Sequence, residues 1–249
     1  MIILKSQQEI DKIKRACRIV AEAFDGIKKM VNPGVSTSEL NRYAEEFITK
    51  KGGKPAFKGY RGYPATLCTS INEGVVHGIP SSRRLREGDI ISLDLGVLLD
   101  GYYGDAAITL PVGNIRGDAK RLLRVTEDVL YKGIGIARIG NSVSDISYAI
   151  QSYVEDAGYS VVTNFVGHGI GRELHEEPQV PNFGKPGQGP RLRRGMVLAI
   201  EPMVNMRESH VEVLEDKWTV VTKDGSLSAH FEHTIVITGD EPLILTGSE

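Results

Sequence analysis

The chain has 249 residues, 41% hydrophobic and 25% charged, which is enough apolar mass for a sizeable core in a soluble globular protein. Its formal net charge of −2 offers no electrostatic footprint for nucleic acid or an anionic membrane surface. Two cysteines, Cys17 and Cys68, cannot build a disulfide framework, Met1 to Asp11 lacks the apolar run of a signal peptide, and no segment is long and apolar enough to span a bilayer, so a cytoplasmic chain with reduced thiols is expected.

From Gln8 to Val31, apolar residues at Ile10, Ile13, Cys17, Val20, Phe24, Ile27 and Val31 recur every three or four positions and predict an amphipathic helix ended by Asn32, Pro33 and Gly34. Ser36, Thr37 or Ser38 is placed to cap a second helix through Leu40, Tyr43, Ala44, Phe47 and Ile48, which Gly52 and Gly53 stop. Strands are expected at Ala65 to Asn72, Asp89 to Leu99 and Tyr102 to Pro111, then helices near Arg116 to Ile136 and Ser144 to Ala157. The remainder reads as strands at Val161 to Phe165, Met196 to Ile200, Trp218 to Thr222 and Ala229 to Thr238. Paired helices followed by strands, seen twice with no repeat or linker between, suggest one α+β domain over residues 1–249 with two similarly built halves.

Within Ile90 to Pro111, Asp100-Gly101 is the turn dipeptide of a two-residue hairpin. That turn puts Leu93, Leu95, Val97 and Leu99 on one face with Tyr102, Gly104, Ala106 and Ile108. Asp94 and Asp105 take the other face, with Asp105 opposite Gly96, which leaves room for both carboxylates to meet one cation. A solvated hairpin face is the plainer alternative, because most strand carboxylates sit on one.

Further ligand-type residues lie downstream. His168 is set in the glycine loop Gly167-His168-Gly169-Ile170-Gly171, and His175 follows before Glu176, Glu177 and Pro178. Glu201 ends an apolar run just before Pro202, and Glu232 interrupts another. Each alone reads as a hydrogen-bonded structural residue.

The segments NEGVVHGIP at Asn72 to Pro80, DLG with DGYYGDAAIT at Asp94 to Thr109, GHGIGRELHEEP at Gly167 to Pro178, GMVLAIEPM at Gly195 to Met203 and FEHTIVIT at Phe231 to Thr238 resemble methionine aminopeptidases of the bacterial type. The resemblance runs through essentially the whole chain, in order. It implies the pita-bread fold: two pseudo-symmetric halves with curved antiparallel sheets around a central dinuclear metal site and helices outside. It also implies five metal ligands, with Asp105 and Glu232 bridging two divalent ions, Asp94 chelating one, and His168 and Glu201 completing the other. Four carboxylates and one imidazole suit Co, Mn, Fe or Zn better than copper.

By the same resemblance a metal-bridging hydroxide is the nucleophile, Glu201 shuttles its proton, His175 stabilises the oxyanion and His77 contacts the scissile amide. Phe57, Tyr60, Tyr63, Cys68, Leu174 and Trp218 are expected to wall an apolar methionine pocket, although Phe57 and Leu174 also read as plain core. The substrate is the N-terminal methionine of nascent polypeptides, preferably before a small second residue. Transient ribosome association, a monomeric state, and no role on nucleic acid or membranes complete the expectation. The rivals are a proline-specific aminopeptidase or dipeptidase, whose usual large N-terminal domain is not evident here, and a non-catalytic binding module on the same fold.

Overall fold

The computed structural model describes residues 1–239 and 241–247. Helix α1 (Gln7–Met30) starts at Ser6, whose hydroxyl accepts from the Glu9 amide while Glu9 accepts from the Ser6 amide. Its buried stripe of Ile13, Cys17, Val20, Phe24 and Ile27 is the one that the spacing predicts. Of the three candidate caps for α2 (Thr37–Lys50), Ser36 does the capping, in a second reciprocal box with Glu39. α3 (Gly117–Ile136) and α4 (Val143–Asp156) form the other helix pair, with the Ser142 amide donating to Asp145 at 2.6 Å. No helix among the described residues is long and apolar enough to cross a membrane.

The first half adds strands β1 (Lys54–Pro55), β2 (Leu67–Ile71), β3 (Gly74–Val76), β4 (Ile90–Leu99) and β5 (Tyr102–Pro111). The second adds β6 (Ser160–Val161), β7 (Gly167–Gly169), β8 (Glu176–Val180), β9 (Val197–Ile200), β10 (Met203–Asn205), β11 (Val211–Val213), β12 (Val220–Thr222), β13 (Ser228–His230), β14 (Glu232–Val236) and β15 (Leu243–Ile244). The main sheet runs β1-β4-β5-β14-β9-β7-β8, with β2 on β4 and β15 on β14. Two smaller sheets, β13-β10-β6 and β11-β12-β3, flank it.

Each half has its own core. α1 and α2 pack on β2, β4 and β5 through Val20, Phe24, Leu40, Leu93 and Leu95. α3 and α4 pack on β9 and β14 through Leu122, Val129, Ile146, Leu198 and Ile235. The two halves share small details. Arg84 Nη1 donates to Gly34 O at 2.6 Å and Arg191 Nη1 to Gly140 O at 2.8 Å, while Ser36 bridges Arg84 and Ser142 bridges Arg191.

The β4–β5 hairpin has the predicted register, Gly96 facing Asp105, with Asp100 (φ 49°) and Gly101 (φ 78°) both left-handed as a type I′ turn requires. One expectation fails there: the room over Gly96 is not left for a cation. A Cβ at Gly96 would lie 2.7 Å from the Phe57 ring and 2.8 Å from Ala56 Cβ, so the glycine admits the β1–β2 connection against the hairpin.

In the main sheet the halves meet at β5 and β14, paired only at Glu232↔Ala107 and His233↔Ala106, and in a smaller sheet β3 and β12 join them. Threonines extend this seam in both directions. Thr234 Oγ1 donates to Asp105 O (2.7 Å) and accepts from Asp105 N (3.3 Å), while Thr109 Oγ1 donates to His230 O (2.8 Å) and accepts from His230 N (2.9 Å). With both backbone groups of His230 taken by Thr109, the run Ala229 to Thr238, expected as one strand, breaks at Phe231 into β13 and β14 in different sheets. The strand expected at Val161 to Phe165 instead covers Ser160–Val161, and the Val162 amide carries its register one bond further, to Met203 O of β10.

α1 lies directly on β5. A Cβ at Gly104 would sit 2.5 Å from Cys17 N and 2.9 Å from Ala16 C, backbone that cannot give way without moving the helix. Gly104→Ala is expected to lower stability by about 1–3 kcal/mol, as overpacking of a tight contact does. Equilibrium denaturation checks this, and an unchanged midpoint would show that α1 adapts.

Candidate metal centre and its cavity

The seam places carboxylates together. Asp105 on β5 precedes the paired Ala106 and Ala107, and Glu232 opens β14. Asp94 comes from β4, and Glu201 follows β9 on the far side of β14. His168 arrives from β7. That residue is expected in a loop but stands in a short strand between β8 and β9. Its glycine neighbours make this possible: a Cβ at Gly167 would be 2.4 Å from Ala199 O, and one at Gly169 would be 2.3 Å from Glu177 O.

Donor atoms of Asp105, His168 and Glu232 lie within 4.8 Å of one another, and His168 Nε2 is 3.4 Å from Glu201 Oε1. The His168 tautomer follows from its other contact. Nδ1 is 2.9 Å from Gly169 O, a carbonyl that can only accept, so Nδ1 carries the proton and Nε2 offers a lone pair. Burial lowers the His168 pKa to about 3, with His175 adding to the shift, so the imidazole is neutral.

The carboxylates are shifted the opposite way. Burial pushes Asp105 up to about 7 and raises Asp94, Glu201 and Glu232 well above the carboxylate range, with mutual repulsion adding to the last three. Asp94 Oδ1, Asp105 Oδ1 and Glu232 Oε1 are buried without a hydrogen-bond partner. Buried, unpartnered acceptors converging on one neutral imidazole are what a divalent cation would satisfy, so the residues fit a metal.

Beside this cluster is a cavity of about 280 Å³, and every residue singled out from the sequence lines it. Phe57, Tyr63, Cys68, Leu174 and Trp218 supply its apolar wall. Tyr63 is edge-on to Trp218 (5.2 Å between centroids) and anchored by its hydroxyl to Gly78 O (3.0 Å). Burial raises the Cys68 thiol well above its ordinary value and keeps it neutral. His77, lowered to about 4 by burial, stands edge-on to Phe165. The His175 ring is tilted against that of His168, 4.4 Å between centroids, and its Nδ1 is 2.7 Å from Tyr60 Oη.

Arg61 and Phe165 also line the cavity and were not foreseen. Arg61 sits in the short 3-10 turn Tyr60–Gly62 with a left-handed backbone (φ 48°), and Phe165 follows a strand that ends earlier than expected. Neither position belongs to a periodic pattern.

The sequence profile of metallopeptidase family M24 matches residues 11–239. The chain is similar to a methionine aminopeptidase from Clostridium perfringens, 56% identical over 246 residues that cover 99% of each chain. Among solved structures it superposes on the methionine aminopeptidase of Thermotoga maritima with a TM-score of 0.98, 48% identity and full coverage of both chains. The prolidase of Pyrococcus horikoshii overlaps with a TM-score of 0.82 at 26% identity, over all of this chain and 65% of that one. The architecture is the expected pita-bread fold.

The buried carboxylates give the metal-free protein a distinctive pH response. Above about pH 7 histidines are mostly neutral folded or unfolded, and unfolded carboxylates have lost their protons. The folded protein still holds protons on carboxylates whose values are raised, so it binds more protons than the unfolded chain. Stability is therefore lost as pH rises through the folded value, about 7 for Asp105. We expect the metal-free melting temperature to fall between about pH 7 and 8, and added Mn²⁺ to oppose the fall by replacing protons. A metal-free melting temperature that rises across this window would contradict the assignment.

Proposed function

The chain belongs to metallopeptidase family M24, and on that premise we propose that it hydrolyses the peptide bond after an N-terminal methionine, using divalent metal. The observation that carries this reading is that an acid-rich ligand cluster and an apolar, aromatic wall line one cavity. Asp94, Asp105, His168, Glu201 and Glu232 are the proposed ligands, and two ions of Co, Mn, Fe or Zn are the proposed complement. Such ions, when bound, supply Lewis acidity that activates water and polarises a carbonyl.

The chain's own groups do the rest. The methionine side chain lies among Phe57, Tyr60, Tyr63, Cys68, Leu174 and Trp218, where the neutral Cys68 sulfur and aromatic edges suit a thioether. Glu201, buried and raised in pKa, holds and passes on a proton toward the leaving amine. When Tyr60 donates to His175 Nδ1, the proton of that neutral ring sits on Nε2, which can then donate to the developing oxyanion. His77 contacts the scissile amide, held edge-on by Phe165. The ligands come from both halves, so residues 1–249 act as one catalytic unit. The substrate is the methionine end of nascent chains, met by a monomer in the cytoplasm in passing contact with the ribosome.

Glu201→Gln is expected to lower kcat on a Met-Ala-Ser peptide by about 10²-fold or more while the protein stays folded. Turnover near that of the parent would remove Glu201 from its role. Crowding by His77, Phe165 and His175 next to the cavity further predicts that Met-Ala-Ser is cleaved far better than Met-Lys-Ser, because displacement of the carbonyl by about 1 Å can cost 10²-fold. Equal kcat/KM for the two peptides would refute the crowding. Preference for Ala-Pro-Ser would favour a proline-specific enzyme, and no metal-dependent release from any peptide would favour a binding module.

A further inference from the structure

The segment ahead of α1 crosses to the second half of the molecule. The Lys5 amide donates to Gly195 O at 2.7 Å, and Lys5 Nζ lies 2.5 Å from Glu176 Oε2. The two side chains are only 2% and 8% exposed. A lysine–carboxylate pair this far from water is costly to form and persists only where both partners gain further hydrogen bonds. Here Nζ also donates to Ile3 O at 3.3 Å, and Glu176 Oε1 accepts the amides of Arg172 (2.8 Å) and Glu173 (3.3 Å). Glu176 thereby winds the loop ahead of β8 around its own carboxylate, and that loop presents Leu174 and His175 to the cavity.

Gly171 gives a second, independent sign. A Cβ there would lie 2.3 Å from Lys5 Cε and 2.7 Å from Glu176 Oε1, so the glycine makes room for the ion pair. The same residue ties the loop to the hairpin, since Gly171 O accepts the Tyr103 amide at 2.8 Å.

We propose that Lys5 is a positioning residue for His175: through Glu176 it fixes the loop on which that imidazole stands. Lys5 touches neither the ligand cluster nor the apolar wall, and it acts only by holding Glu176 in place. The inference rests on the role given to His175 above, so its test needs a readout that does not depend on turnover.

The test uses Lys5→Met, which keeps the length of the stem and removes the charge. Imidazole resonances of His175, assigned by their loss in His175→Ala, report its position in the full-length protein directly. We expect them to move in Lys5→Met. We also expect kcat on Met-Ala-Ser with Mn²⁺ to fall about tenfold or more in the parent background, and less than about twofold in the His175→Ala background, the signature of two residues acting through one another. Should Lys5→Met fail to fold, Gly171→Ala, which crowds the same pair, is read in the same way. Unmoved His175 resonances, or an equal loss of kcat in both backgrounds, overturns the proposal. If His175→Ala turns over normally while Lys5→Met still displaces the resonances, the positioning stands and the catalytic role of His175 falls.

Discussion

Four carboxylates gathered in one cluster, Asp105 and Glu232 buried and Asp94 and Glu201 half-buried, are the constraint around which the molecule is arranged. Without a cation they repel one another and hold protons that carboxylates in water would release, as the raised values of Asp94, Asp105, Glu201 and Glu232 record. Such a cluster survives only where the scaffold is rigid and the cost is met elsewhere. Two separate helix-backed cores provide that rigidity, each holding its own pair of strands. A bound divalent cation would turn that repulsion into attraction.

The proposed ligands follow the near-symmetry of the fold. Asp94 and Glu201 each stand six residues beyond a glycine, Gly88 and Gly195, in the matching runs Arg84-Leu85-Arg86-Glu87-Gly88 and Arg191-Leu192-Arg193-Arg194-Gly195. Asp105 and Glu232 then occupy the two strands that meet at the centre. His168 breaks the symmetry, as does the loop that Lys5 and Glu176 hold. The symmetric parts bring the four carboxylates together, and the asymmetric parts bring the imidazoles of His168 and His175.

Much of this was legible in the sequence because it is local. The hairpin register follows from Asp100-Gly101, and the helix faces follow from spacing and caps. What escaped was contact across the chain. The meaning of Gly96 depends on Phe57 packing over it, and the break at Phe231 depends on Thr109 capturing His230. Lys5 looked like an ordinary polar residue ahead of a helix, since nothing near it in sequence announces a partner at Glu176. The matched arginine–glycine runs were visible but short, and only the equivalent Gly34 and Gly140 contacts give them weight. Arg61 and Phe165 lie in irregular segments, where no periodicity marks a side chain as inward.

The seam between β5 and β14 has a consequence for how the chain is assembled. The β4–β5 hairpin closes over a two-residue turn, so Asp94 and Asp105 come together through local contacts that form early in folding. Glu201, Glu232 and His168 reach them only when the second half docks, through two residue pairs between β5 and β14 and two more between β3 and β12. A cation held between the halves would therefore work as a rivet: neither half alone offers the full set of donors, and pulling the halves apart would release it.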